Sequence, residues 1–242
     1  MKKIFLYILA GSLCFSACKK DDDDVVTYVE PEDITTQNTY DDQSIQKFLN
    51  DNYLDAQGNI KSFSSTDTAD DNEVKLINLN PQTLPSGVIY IERVGAQPSP
   101  GTTIGATDIV RLMMRARTYL AGNTDGETKF LTAEQFVNYS PLDLDGSPKV
   151  DPMFYHVTDA KMAQYSNTNR SFYEIEGFKE ALQKFKAFDK TDDENYNLQG
   201  VIIVPSRAAF ARDSHYNYSN NQSFRNRTFI FNFQVYKTTP RP

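Results

Sequence analysis

From Asp108 to Tyr119 the chain alternates in character. Val110, Leu112, Met114, Ala116 and Thr118 fall on one side, with Arg111, Arg115 and Arg117 on the other. Successive side chains of a strand point to opposite faces, so this run reads as a long strand with an apolar face that a second layer must cover. Further strands are expected at Val88 to Val94, at Leu198 to Val204 (ended by Pro205), and at Thr228 to Tyr236, where Phe229, Phe231 and Phe233 share a face. Val74, Leu76 and Leu79 suggest another. Two segments carry helical spacing instead. One is Ile45, Phe48, Leu49 and Tyr53, behind Asp41-Asp42 as a cap and stopped by Gly58-Asn59. The other is Phe178, Ala181, Leu182, Phe185 and Phe188, entered through Gly177. Strands gathered around one amphipathic helix, with no repeated βαβ unit, predict an α+β fold with an antiparallel sheet.

The N-terminal end reads as an address. Met1-Lys2-Lys3 is followed by an apolar run from Ile4 to Ala10 and then by small residues up to Ala17-Cys18. This is the pattern of a secretion signal over residues 1–17. Its apolar stretch is far shorter than the roughly 20 residues of a membrane-spanning helix. Phe15-Ser16-Ala17-Cys18 resembles a bacterial lipobox, which implies acylation of Cys18 and a membrane anchor contributing about 0.8 kcal/mol per buried CH₂. The plainer alternative is an ordinary signal cut near Ala17 that leaves Cys18 a free thiol. Lys19-Lys20 and Asp21 to Asp24 read as the start of an acidic, disordered tether over 18–40, and resemble the export signal of lipoproteins sent to the outer face of the outer membrane. The expected location is the cell envelope, on the periplasmic or the surface-exposed side. Residues 41–85 form an N-terminal helix-and-strand extension, and 86–238 the main domain with a long insertion at 131–171.

Several chemistries are excluded. The net charge of −7 argues against nucleic acid as a partner, which needs a basic stripe. Both cysteines, Cys14 and Cys18, lie in the signal region, so the folded part has neither a disulfide nor a thiol nucleophile. The two histidines, His156 and His215, are far apart, with no G-x-S-x-G elbow to support a serine triad. No glycine-rich phosphate loop is present. Asp143-Leu144-Asp145-Gly146 resembles part of a calcium loop, but Phe154 stands where the closing Glu belongs, and a polar turn is the plainer reading. No metal and no cofactor is expected. What remains is an aromatic inventory suited to an apolar pocket.

Three stretches resemble one family. Ile175-Glu176-Gly177-Phe178-Lys179-Glu180-Ala181-Leu182 is similar to that family's step from pocket floor into its single helix. Val201 to Ala211, with Pro205-Ser206 and Ala209-Phe210, resembles its strand and turn, and Phe229 to Val235 its closing strand. Asp108 to Arg111, followed by Asp125-Gly126 and Phe130, fits its earlier hairpin. The family is the FKBP-type peptidyl-prolyl cis-trans isomerases, and the resemblance covers roughly 86 to 237. It implies a half-open sheet wrapped around one helix, with an apolar hollow that takes the proline of X-Pro segments in exported proteins. Rotation about such an amide faces about 18–20 kcal/mol, and a dry pocket favours the less dipolar twisted form without acid, base or metal. The resemblance makes Phe178 the floor, Ile175 the backbone N–H that holds the substrate carbonyl, and Phe130, Phe210 and Phe231 the walls. It departs from the family at Met114, where a Tyr is usual, at Leu131, where an Asp is usual, and at Phe210, which replaces a Tyr. A weak isomerase and an inactive binding module both fit. The rival from another class is a surface lipoprotein that binds a peptide, protein or glycan through residues 131–170, with Phe136, Tyr139, Phe154 and Tyr155 in the lead. A holdase-like chaperone is a third reading. Tyr216 and Tyr218 fall where the family has a loop over the pocket.

Overall fold

The computed structural model describes residues 28–135, 148–164, 169–213 and 223–242. Residues 1–27 with Cys18, Phe136, Tyr139, the stretch Asp143 to Gly146, His215, Tyr216 and Tyr218 lie outside them.

The first helix, α1 (Ile34–Asp51), begins well inside the stretch expected as tether. Asp33 is its N-cap and accepts the Thr35 N–H at 2.9 Å, satisfying an otherwise orphaned donor. Before it, Tyr28 donates to Gln37 at 2.7 Å and Glu30 accepts two bonds from Arg225 at 2.7 Å. The folded chain therefore starts at least as early as Tyr28, and the boundary at residue 40 is corrected. Asp41 is not a cap. It sits mid-helix and fully buried.

Past α1 the chain forms a hairpin of β1 (Asn52–Leu54) and β2 (Ile60–Ser62), so Tyr53 belongs to a strand rather than the helix. Leu76 to Asn78 is a single 3-10 turn, not the expected strand; Leu76 is spent as a plug under α1, beside Ile45 and Leu49. The remaining strands are β3 (Gln82–Thr83), β4 (Ile89–Glu92), β5 (Thr102–Thr103), β6 (Ile109–Thr124), β7 (Glu127–Gln135), β8 (Lys149–Val150), β9 (Lys186–Ala187), β10 (Gly200–Val204) and β11 (Arg227–Thr239), with short helices α2 (Asp159–Gln164) and α3 (Glu176–Leu182) between β8 and β9.

The main sheet is antiparallel, in the order β3-β4-β10-β11-β6-β7, with β8 paired to β6. Alternation along each strand divides the core between two faces. One face carries Val110, Leu112, Met114, Ala116, Phe229, Phe231 and Phe233 under α3. The other carries Ile91, Val201, Ile203 and Ile230 under α1. Each large side chain so buried stabilises by about 1.5–3 kcal/mol. The sheet is thus covered by helices on both sides, rather than by one helix alone.

Helix α3 is shorter than its sequence spacing predicts. It ends at Leu182, because Phe185 turns down into the sheet to meet Phe233 at 4.8 Å and Tyr90 at 5.9 Å. Two glycines make these approaches possible. A Cβ on Gly177 would lie 2.7 Å from Val88 Cγ2, and one on Gly200 would collide with the Phe185 ring and stand 2.6 Å from the Ile91 carbonyl.

Candidate functional site

The rings expected to line an open hollow are packed against one another. Phe178, on the first turns of α3, stacks on Phe231 of β11 with centroids 4.0 Å apart and planes 18° apart. Both are fully buried, and Met114 lies in the same cluster. Ile175 sits just before α3 as its N-cap residue. Phe210, after the 3-10 turn that follows β10, faces Phe154, Phe224 and Phe229 at 5.8, 6.0 and 5.8 Å.

Phe154 is the centre of this arrangement. Its ring stands edge-on to Phe224 at 5.5 Å and to Phe229 at 5.3 Å, with a relative exposure of 3%. Its carbonyl accepts the Ile175 N–H at 2.8 Å, the very donor that the family resemblance assigns to a substrate. Its backbone φ is +68°, a region that a bulky residue rarely occupies. The described part of the insertion thus lies across the hollow and fills it. The expectation of an open proline pocket is corrected accordingly.

Phe130 and Leu131 are elsewhere. Phe130 packs under α1 with Tyr119 at 4.7 Å and Phe48 at 6.1 Å. The cause is a bulge between β6 and β7. Leu120 pairs with Thr132 but Ala121 with Phe130, so Leu131 is left unpaired. One extra residue exchanges the faces of everything beyond it, and Phe130 goes to the α1 side. Leu131 is half-buried against Gly122.

Two open clefts flank the filled hollow, and the insertion lines both. One, of about 280 Å³, is bounded by Asp108, Tyr155, His156, Arg170, Lys179 and Arg241 around the buried carboxylate of Glu174. Glu174 accepts the Val157 N–H at 2.8 Å and faces Lys179 at 3.3 Å and Arg170 at 3.4 Å. His156 Nδ1 is 3.5 Å from it, but burial, then the nearby Arg241, pull the imidazole pKa below its usual 6.5, so it stays neutral at pH 7. Burial pushes the Tyr155 hydroxyl up to about 12, and it donates to the Asp108 carbonyl at 2.9 Å. The second cleft, of about 240 Å³, runs along Lys149 to Phe154 beside Lys161 and Tyr173. Charged side chains stand around both clefts, while most of the exposed wall is apolar. Among the described residues no group of three His, Asp, Glu or Cys is placed to hold a metal, and no helix is long and apolar enough to cross a membrane.

By sequence Phe154 is one of the aromatics of the insertion, with nothing to link it to the hollow. Phe224 carries no sequence signal, and its role emerges only from its packing against Phe154, Phe210 and Phe229.

No protein-family model matches the chain, and no curated protein matches it significantly. Among solved structures it is similar to a crystal structure of FkpA from Escherichia coli, with 17% identity and a TM-score of 0.36 over 67% of this chain and 53% of that one. The chain therefore spans about half the length of FkpA. It is also similar to a structure described as a peptidyl-prolyl cis-trans isomerase from Pseudomonas syringae pv. tomato str. DC3000, with 12% identity and a TM-score of 0.40 over 88% of this chain and 99% of that one. Both likenesses are distant.

Proposed function

We propose that this chain is an envelope protein, anchored by lipid on Cys18, whose FKBP-like hollow is closed by its own Phe154 and whose work is binding rather than fast prolyl isomerisation. The partner is a segment of an exported or neighbouring protein, received in the clefts that the insertion lines. The observation that carries this reading is the Ile175 N–H bonded to the Phe154 carbonyl at 2.8 Å, with the Phe154 ring enclosed by Phe210, Phe224 and Phe229. An isomerase needs that donor and that space for its substrate, and here neither is available. A proline-peptide assay on the mature chain tests it: turnover is expected at the uncatalysed rate, and a clear acceleration overturns the reading.

A second reading has its own support. The left-handed backbone at Phe154 costs of order 1–3 kcal/mol, so the insertion is held in place against a local strain. Behind it Phe178, Phe231 and Met114 keep an apolar frame. A client that displaced Phe154 would find a proline-sized hollow, and the domain would then act as a latent isomerase.

A further inference from the structure

The loop that carries Phe154 into the hollow is an awkward piece of chain. It leaves β8 at Asp151 and runs to Tyr155, and Asp151 and Phe154 have φ of +44° and +68°. Left-handed backbone outside glycine is costly and persists only where its surroundings hold it. Asp tolerates this region better than a bulky ring does, so the hold matters most for Phe154. Part of that hold comes from the chain beyond β11.

Arg241 sets its guanidinium on Asp151. Nη2 donates to Oδ1 and Nη1 faces Oδ2, both at 2.9 Å. The pair is largely withdrawn from water, with side-chain exposures of 24% and 10%. A two-pronged contact between Arg and a carboxylate fixes orientation as well as charge. The same guanidinium donates from Nε to the Thr107 carbonyl at 3.0 Å and from Nη2 to the Asp108 carbonyl at 3.1 Å. That stretch is itself firm. The Asp108 carboxylate accepts the Gly105 N–H at 2.9 Å and the Thr238 hydroxyl at 2.8 Å, and its carbonyl also takes the Tyr155 hydroxyl at 2.9 Å. Arg241 is thus a staple between the first residue of the loop and the turn that enters β6. Asp151 passes the hold inward, donating its N–H to the Val110 carbonyl at 2.8 Å and accepting the Val110 N–H on Oδ1 at 3.2 Å. Phe154 follows, with its carbonyl over the Ile175 N–H.

We infer that the Arg241–Asp151 pair is an autoinhibitory latch on the hollow. Intact, it keeps the loop seated with Phe154 inside; broken, it lets the loop lift and frees the Ile175 N–H and the face of Phe178. This rests on the reading that Phe154 closes the hollow, and adds how the closure is held and where it is released. Arg241 also lines the cleft of about 280 Å³ beside the loop. A partner segment received there meets the latch directly, and a carboxylate on it competes with Asp151 for the same fork.

The test is residue-resolved hydrogen exchange on the full mature chain and four variants. Arg241→Gln and Asp151→Asn each break the pair, and Asn is at home in left-handed backbone. The third variant combines the two. The fourth, Lys237→Gln, removes an equal charge from an exposed ion pair with Asp189 on β11. The quantity read is the exchange rate of the Ile175 amide divided by that of the central β11 amides, so that a loss of overall stability, which speeds both, cancels. Each single variant is expected to raise this ratio about tenfold or more. The combined variant should raise it no further than the larger single one, and Lys237→Gln should leave it unchanged. Arg241→Lys keeps the charge but loses the fork; its smaller rise serves in place of Arg241→Gln if that variant does not fold. An unchanged ratio in either single variant overturns the latch and leaves the closed hollow standing, as does an equal rise in Lys237→Gln. An Ile175 amide that already exchanges fast in the wild type removes the closed hollow itself, and the latch with it.

Discussion

The buried carboxylate of Asp41 accepts both the backbone N–H and the hydroxyl of Ser206, at 2.9 and 2.5 Å, and so ties α1 to the turn that follows β10. Gln37 donates to its other oxygen at 3.0 Å. Truncation in Asp41→Ala leaves these donors buried without an acceptor, at about 1–3 kcal/mol for an unsatisfied group. A loss of about 2–4 kcal/mol is expected in urea unfolding. Burial is the largest influence on the carboxyl and raises its pKa above the usual carboxylate value, against the bonds from Ser206 and Gln37. The folded state thus holds this proton more tightly than the unfolded chain, and the Asp41 contribution to stability falls as pH rises from the unfolded pKa through the folded one. Asp41→Asn cannot titrate, so the difference in stability between wild type and this variant should change across that window and be flat above it. A difference that does not vary with pH would show that the group keeps an ordinary pKa.

The left-handed backbone at Phe154 makes a reversed order of substitutions. In extended or helical backbone, Gly is less stable than Ala by about 0.5–1 kcal/mol. At φ +68° Ala retains the strain and Gly relieves it. Both variants lose the caged ring, at about 3–5 kcal/mol for a buried Phe, but Phe154→Gly is expected to melt no lower than Phe154→Ala. A Gly variant clearly less stable than Ala would place Phe154 in ordinary backbone.

Gly200 is expected to tolerate no side chain. Its Cβ would run into the Phe185 ring and the Ile91 carbonyl, and overpacking of this kind costs about 1–3 kcal/mol. Gly200→Ala should lower the urea midpoint without changing the slope, whereas Gly95→Ala, where a Cβ has nothing within 4 Å, tests only the cost of a positive φ. An unaltered midpoint in Gly200→Ala would mean that Phe185 can move aside freely.

Much of the frame was legible because it rests on period alone. The alternation of Val110 to Thr118 gave β6 and its buried face, and Phe229, Phe231 and Phe233 gave the face of β11 that receives α3. What alternation cannot reveal is a change of register. By sequence Phe130 belongs to the hollow, because nothing in Thr128 to Thr132 marks the bulge that turns it toward Phe48. Spacing also extends α3 too far, since Phe185 and Phe188 continue a helical pattern while the chain has already left it. The closing of the hollow by Phe154 depends on a contact between residues distant in sequence and on a positive φ, and neither leaves a local trace. The roles of Asp41 and Glu30 leave no local trace for the same reason, as their partners Ser206 and Arg225 are far along the chain.

The most direct probe of the closed hollow is hydrogen exchange at the Ile175 amide, followed residue by residue in the mature chain. Bonded to the Phe154 carbonyl and 1% exposed, it should exchange as slowly as the central amides of β11, within about tenfold. Exchange close to the rate of an unstructured amide would mean that this N–H faces an open pocket, and would contradict a hollow closed by Phe154.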